Sequence, residues 1–131
     1  MSGYAFIEGF RSLRFVHRDA DLYAEAGGEG PPLLLLHGYP QTHAAWHRIA
    51  LQLARYFTVV APDLRGYGDS HGPPGDGGKH AHAKQTMAED VLALMRSLGY
   101  ERFAVLGHDR GARVGYRLAL NHPRRFAAFA R

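Results

Sequence analysis

The stretch that decides the fold is Phe103-Ala104-Val105-Leu106-Gly107-His108-Asp109-Arg110-Gly111-Ala112-Arg113-Val114-Gly115-Tyr116. A short apolar run ends in Gly-x-Asp-x-Gly and passes directly into an amphipathic segment. This is the strand–turn–helix context of a nucleophile elbow, with Asp in the place more often held by Ser. So tight a turn needs small residues on both sides of its central side chain, and Gly107 and Gly111 supply them. Residue 109 then stands at the carboxyl end of a strand and the amino end of a helix. Unpaired N–H groups and the positive end of the helix dipole favour an anion there.

Upstream, the chain alternates between short apolar runs and helical patterns. Leu13 to Val16 and Leu22 to Ala26 read as two short strands around a turn at 17–21. Gly27-Gly28-Glu29-Gly30-Pro31-Pro32 breaks the pattern. Leu33-Leu34-Leu35-Leu36 is a continuous apolar run, as expected of a parallel strand covered on both faces. The segment His37 to Thr42 leads into a helix predicted from His43 to Tyr56, capped by Thr42. Trp46, Ile49, Ala50, Leu53 and Ala54 form its apolar face. Thr58 to Ala61 is a second buried strand. The loop after it is rich in Gly and Pro through Lys79. Ala83 to Leu98 reads as a helix with Met87, Val91, Leu94, Met95 and Leu98 on one face, closed by Gly99. A strand at 102–106 feeds the elbow. A helix from Ala112 to Asn121 follows and stops at His122-Pro123, and 126–131 leads into a further strand. Strands alternating with helices of this length imply βαβ units and a mostly parallel sheet with helices on both faces.

Composition narrows the function. The 131 residues amount to about one domain, and 46% hydrophobic content is ordinary for a globular chain. The longest aliphatic run is Leu33 to Leu36, far short of the roughly 20 residues of a membrane span. The first residues show no basic segment followed by an apolar one, so a cytoplasmic protein is expected. There is no Cys, which excludes disulfides and thiolate metal sites. The net charge of +4 comes from 14 Arg and 2 Lys scattered along the chain. Only Arg124-Arg125 are adjacent, so nucleic-acid binding is not expected. The closest histidine group, His80-Ala81-His82, has no carboxylate or thiol partner at a ligand spacing, so neither a metal nor another cofactor is expected.

Three motifs in order carry a family resemblance: His37-Gly38-Tyr39-Pro40, Asp63-x-x-Gly66-x-Gly68-x-Ser70, and Gly107-His108-Asp109-Arg110-Gly111. With the order of strands and helices, they make residues from about 10 to 131 resemble the N-terminal half of the α/β-hydrolase fold. Residues 1–131 then form a partial core domain, with the cap domain and the C-terminal half absent. An Asp nucleophile marks the members of that superfamily that attack saturated carbon. Epoxide hydrolases and haloalkane dehalogenases usually have Trp directly after it, whereas this chain has Arg110, and Arg113 three residues later. The stretches 34–42 and 107–113 look closest to the haloacetate (fluoroacetate) dehalogenases. The resemblance implies Asp109 as nucleophile and Arg110 and Arg113 as ligands of the substrate carboxylate. It also implies an oxyanion hole made by the backbone N–H groups of Arg110 and Tyr39, with no cofactor. The expected partner is a small anionic substrate, and a homodimeric parent is compatible. The alternatives are an epoxide hydrolase and a non-catalytic fragment of the fold.

The two arginines have a physical rationale of their own. A 2-haloacid and an attacking carboxylate are both anions. At ~4 Å they repel by about 4 kcal/mol at an effective dielectric near 20. Arg110 and Arg113 are three residues apart and can share one side of a helical turn. A guanidinium matches a carboxylate bidentately. The competing reading is a helix-start ion pair between Asp109 and Arg113 with Arg110 solvated. Arg117, His37, Trp46 and the residues from Asp63 to Ser70 read as structural.

The second step of such chemistry needs an acid and a base after the nucleophile. No Asp or Glu follows Asp109, and the only later histidine is His122. At about 1.5 Å per helical residue, His122 is roughly 20 Å away along the axis. The expectation is therefore a chain that does not turn over alone. Its strand at 102–106 would be an open parallel edge, and its solubility would be poor.

Overall fold

In a computed structural model, the structure describes residues 7–36, 43–63, 84–107, 113–115, 124 and 126–130, without the side chains of 43–46, 84–85 and 126–130. The sheet comprises β1 (Arg11–His17), β2 (Ala20–Gly27), β3 (Pro32–Leu36), β4 (Thr58–Pro62), β5 (Phe103–Gly107) and β6 (Phe126–Ala130). Two long helices, α1 (His43–Leu53) and α2 (Lys84–Ser97), are set between strands. Strand order across the sheet is β1-β2-β4-β3-β5-β6.

β1 and β2 form an antiparallel hairpin in register from Arg11↔Ala26 to His17↔Ala20. A two-residue connection of this kind needs a left-handed residue, and Arg18 takes φ 56°. β2 is antiparallel to β4, while β4, β3, β5 and β6 run parallel. The sheet is thus mixed, with a parallel block of four strands.

The faces follow from strand alternation. Leu34, Leu36, Val60, Phe103 and Val105 point to one side, where they pack with Met87, Ala88, Val91, Leu92, Leu94 and Met95 of α2. Leu33, Leu35 and Val59 point to the other, where they meet Ala50 of α1, with Leu53, Ala54, Ala104 and Leu106 around them. Leu33 to Leu36 are all buried because both faces of β3 are covered. Each large apolar side chain withdrawn in this way contributes about 1.5–3 kcal/mol.

The predicted apolar face of α2 packs as read, and the helix ends in a Schellman motif. Gly99 (φ 89°) donates its N–H to the Arg96 carbonyl, and Tyr100 donates to the Met95 carbonyl, both at 3.0 Å. Tyr100 is partly buried against the same apolar cluster as Met95.

Two expectations are corrected. The first helix ends at Leu53 rather than Tyr56, and Ile49, placed on its apolar face, is 41% exposed. The chain turns sharply at 54–57, where Phe57 donates to the Leu53 carbonyl at 2.9 Å. The strand feeding the elbow is not an edge: β6 pairs alongside β5 in parallel, with a register irregularity at Phe103/Ala104. Phe126–Ala130 supplies that neighbour, and the edge among the described residues moves to β6.

Candidate active site

Parallel strands deliver their carboxyl ends to one rim of a sheet. The rim here is built by β4, β3 and β5, and it is the rim from which the three motifs leave. Leu36, the last residue of β3, is registered against Gly107, the last residue of β5. Neighbouring strands are about 4.8 Å apart. Leu36 and Gly107 are therefore neighbours on the rim, although they are far apart in sequence.

The positions assigned the chemistry, Asp109 and Arg110 with the backbone of Tyr39, lie outside the described residues, as do His37, Gly66, Gly68, Ser70, Arg117 and His122 and the pair His80 and His82. What the structure does describe is the frame on both sides of the turn. Gly107 is buried at the end of β5, and residues 113–115 are helical. Five residues outside the described ones therefore lie between the end of β5 and the described helical residues 113–115, a spacing equal to that of the elbow read from the sequence. Val114 is fully buried in the cluster with α2, whereas Arg113 is exposed. Successive helical residues differ by about 100°. Packing of Val114 against the sheet thus turns the Arg113 side chain to solvent at the start of the helix.

Asp63 follows β4 on the same rim. Its backbone N–H donates to the Tyr23 carbonyl at 2.9 Å, which extends the β2–β4 ladder by one residue. Its side chain is 4% exposed. A carboxylate so buried is held by partners, which suits a residue read as shaping the loop after β4.

Two further buried carboxylates escaped the sequence reading. Asp90, in the middle of α2, is 1% exposed and lies 2.9 Å from Nδ1 of His17 at the end of β1. Glu25 in β2 is 1% exposed. The sequence carries one faint signal for each. Asp90 interrupts an otherwise apolar helix face, and Glu25 sits in a strand between two alanines.

Residues 31–130 match the family model of the alpha/beta hydrolase fold. The chain is 48% identical over 116 residues to a fluoroacetate dehalogenase from Burkholderia sp., covering 88% of this chain and 38% of that protein. It is 40% identical over 118 residues to a soluble epoxide hydrolase from Corynebacterium sp. (strain C12), covering 90% of this chain and 36% of that one. Among solved structures, a candidate epoxide hydrolase from Pseudomonas aeruginosa superposes with a TM-score of 0.88 at 53% identity, over 98% of this chain and 43% of its own. An epoxide hydrolase from Vigna radiata gives a TM-score of 0.84 at 33% identity, over 93% and 39%. The chain therefore spans well under half the length of these relatives. With the parallel block, the rim geometry and the family match in agreement, the chain belongs to the α/β-hydrolase fold family.

Proposed function

We propose that the full-length parent of this chain hydrolyses small 2-haloacids, converting a haloacetate and water to glycolate and halide, and that this chain supplies the nucleophile. The observation that carries the reading is the sequence Gly107-His108-Asp109-Arg110-Gly111-Ala112-Arg113 at the carboxyl end of β5, with Arg113 turned to solvent at the start of the following helix. The 48% identity to a fluoroacetate dehalogenase supports it.

In this mechanism a carboxylate oxygen of Asp109 attacks the carbon bearing the halogen. The C–O bond forms as the carbon–halogen bond breaks, and the halide leaves with the bonding pair. The guanidinium groups of Arg110 and Arg113 hold the substrate carboxylate and offset its repulsion with the nucleophile. Water then attacks the carbonyl carbon of the ester, and the backbone N–H groups of Arg110 and Tyr39 stabilise the oxyanion. Collapse of that intermediate releases glycolate and restores Asp109. The base that activates the water is supplied, in this reading, by a part of the parent outside this chain.

A second reading, epoxide hydrolysis by the same nucleophile, is favoured by the identity to epoxide hydrolases. Epoxides are neutral and have no carboxylate for Arg113 to hold. One experiment separates the two. The chain is incubated with fluoroacetate or chloroacetate, alone and with a C-terminal half supplied in trans. Halide release and the mass of the peptide containing Asp109 are followed. Dehalogenation predicts repeated turnover to halide only from the complemented protein and at most one equivalent, held as the Asp109 ester, from the chain alone, with Arg113→Ala raising KM for the haloacid by about tenfold or more. Epoxide opening without halide release, unaffected by Arg113→Ala, would overturn the dehalogenase reading.

A further inference from the structure

We infer that residues 7–10 form an N-terminal strap, fastened to the sheet through the buried carboxylate of Glu25, which opens as a local unit when that fastening is removed. The carboxylate is clasped from two sides. Oε1 accepts the Ile7 backbone N–H at 2.8 Å, and Oε2 accepts the Tyr23 hydroxyl at 2.6 Å. Ile7 is 3% exposed, so its amide is removed from water and requires an acceptor within the protein. A carboxyl group has two oxygens and so offers one to each of these donors.

The strap closes on itself through the Phe10 N–H, which donates to the Ile7 carbonyl at 3.0 Å. Its two apolar ends are inserted and its tip is out. Ile7 packs in the cluster of Leu33, Leu35, Ala50 and Val59, with Phe10 against the same cluster. The Phe10 ring lies so close over Gly27 that a Cβ there would sit 2.5 Å from it. Glu8 and Gly9, between them, are exposed. Strands β3 and β4 are thus covered on the α1 side partly by four residues that precede the first strand. Lifting them uncovers Leu33, Leu35 and Val59, an apolar strand surface of the kind that drives association.

Glu8 provides the reporter, because a glutamate-specific protease cuts after it only when the strap is open. Cleavage tracks the open population when reclosing is fast. In Glu25→Ala, cleavage after Glu8 should accelerate by about tenfold or more, the factor expected when a buried donor loses its acceptor. Glu25→Gln keeps an oxygen toward the Ile7 N–H and should stay within about threefold of the parent rate. Cleavage of Glu25→Ala no faster than the parent would overturn the inference. So would equal acceleration in Glu25→Gln, or cleavage after Glu8 and Glu89 at one common rate, which signals global unfolding. Should the alanine variant not fold, amide exchange in the unaltered chain decides. The Ile7 N–H should exchange at least tenfold below its intrinsic rate, and exchange at the intrinsic rate refutes the strap.

Discussion

Replacing Gly28 by alanine isolates a contact that no side chain can relieve. Gly28 has φ 92°, and an added Cβ would sit 2.3 Å from the Phe57 carbonyl oxygen, 2.7 Å from that of Ala54 and 2.8 Å from the Ala54 Cα. All three are backbone atoms of the turn that ends α1, so the turn itself must move. The left-handed conformation costs an alanine about 1–2 kcal/mol. Forced overlap adds about 1–3 kcal/mol. The stiffer unfolded chain returns about 0.4–1 kcal/mol. The net loss is then roughly 2–4 kcal/mol. Gly99 is the matched control: φ is 89° and nothing lies within 4 Å of the added Cβ, leaving only the conformational cost of about 1 kcal/mol after the same correction. Urea denaturation followed by far-UV circular dichroism measures both. With m of about 2 kcal/mol per molar, Gly28→Ala should lower the midpoint by about 1–2 M and Gly99→Ala by about 0.5 M. Equal losses in the two variants, or a Gly28→Ala loss below about 0.5 kcal/mol, would refute the steric reasoning and leave backbone conformation as the whole effect.

Other perturbations follow from burial and pairing. Phe103→Ala empties the site of a side chain 1% exposed at the meeting of β5 and α2, and should cost about 3–5 kcal/mol in the same denaturation assay. His17→Ala removes the 2.9 Å contact to the buried Asp90 and should cost about 1.5–3 kcal/mol. Arg14→Ala breaks the 3.1 Å pair with Asp21, whose side chains are 43% and 42% exposed, and should cost no more than about 1 kcal/mol. A loss in Arg14→Ala as large as that in His17→Ala would mean that burial does not rank these two pairs.

Local pattern made most of the elements legible. Leu33 to Leu36 announced a doubly covered strand because no polar residue interrupts it. Met87, Val91, Leu94 and Met95 announced α2 by their spacing, and Gly99 its end. Strand neighbours were not legible, because pairing is decided by long-range packing. Nothing in Leu22 to Ala26 says that β2 lies antiparallel beside β4, or that β3 is inserted between β4 and β5. Ile49 misled because helical spacing tells which residues share a face and not how wide the covered stripe is. Glu25 and Asp90 were missed for a related reason: their partners, Ile7 and His17, lie 18 and 73 residues away. At the candidate site, the described residues give the strand end at Gly107 and helical residues 113–115, while the turn between them lies outside the described residues and the role of Arg113 rests on sequence and family. The roles of Asp109, Arg110 and Tyr39 rest on sequence and family.

The pairing of Leu36 with Gly107 makes proximity at the rim independent of the path between them. The 70 residues that separate these two positions contain both α1 and α2 and the whole Gly- and Pro-rich segment. Chain added or lost within that segment changes the length of the excursion but not the rung on which it ends. A slip of one rung, by contrast, would shift one loop about 3.3 Å against the other and turn every side chain of β5 to the opposite face. The parallel block thus works as a ruler. It fixes the spacing of the two strand ends whatever the length of the segment between β4 and α2.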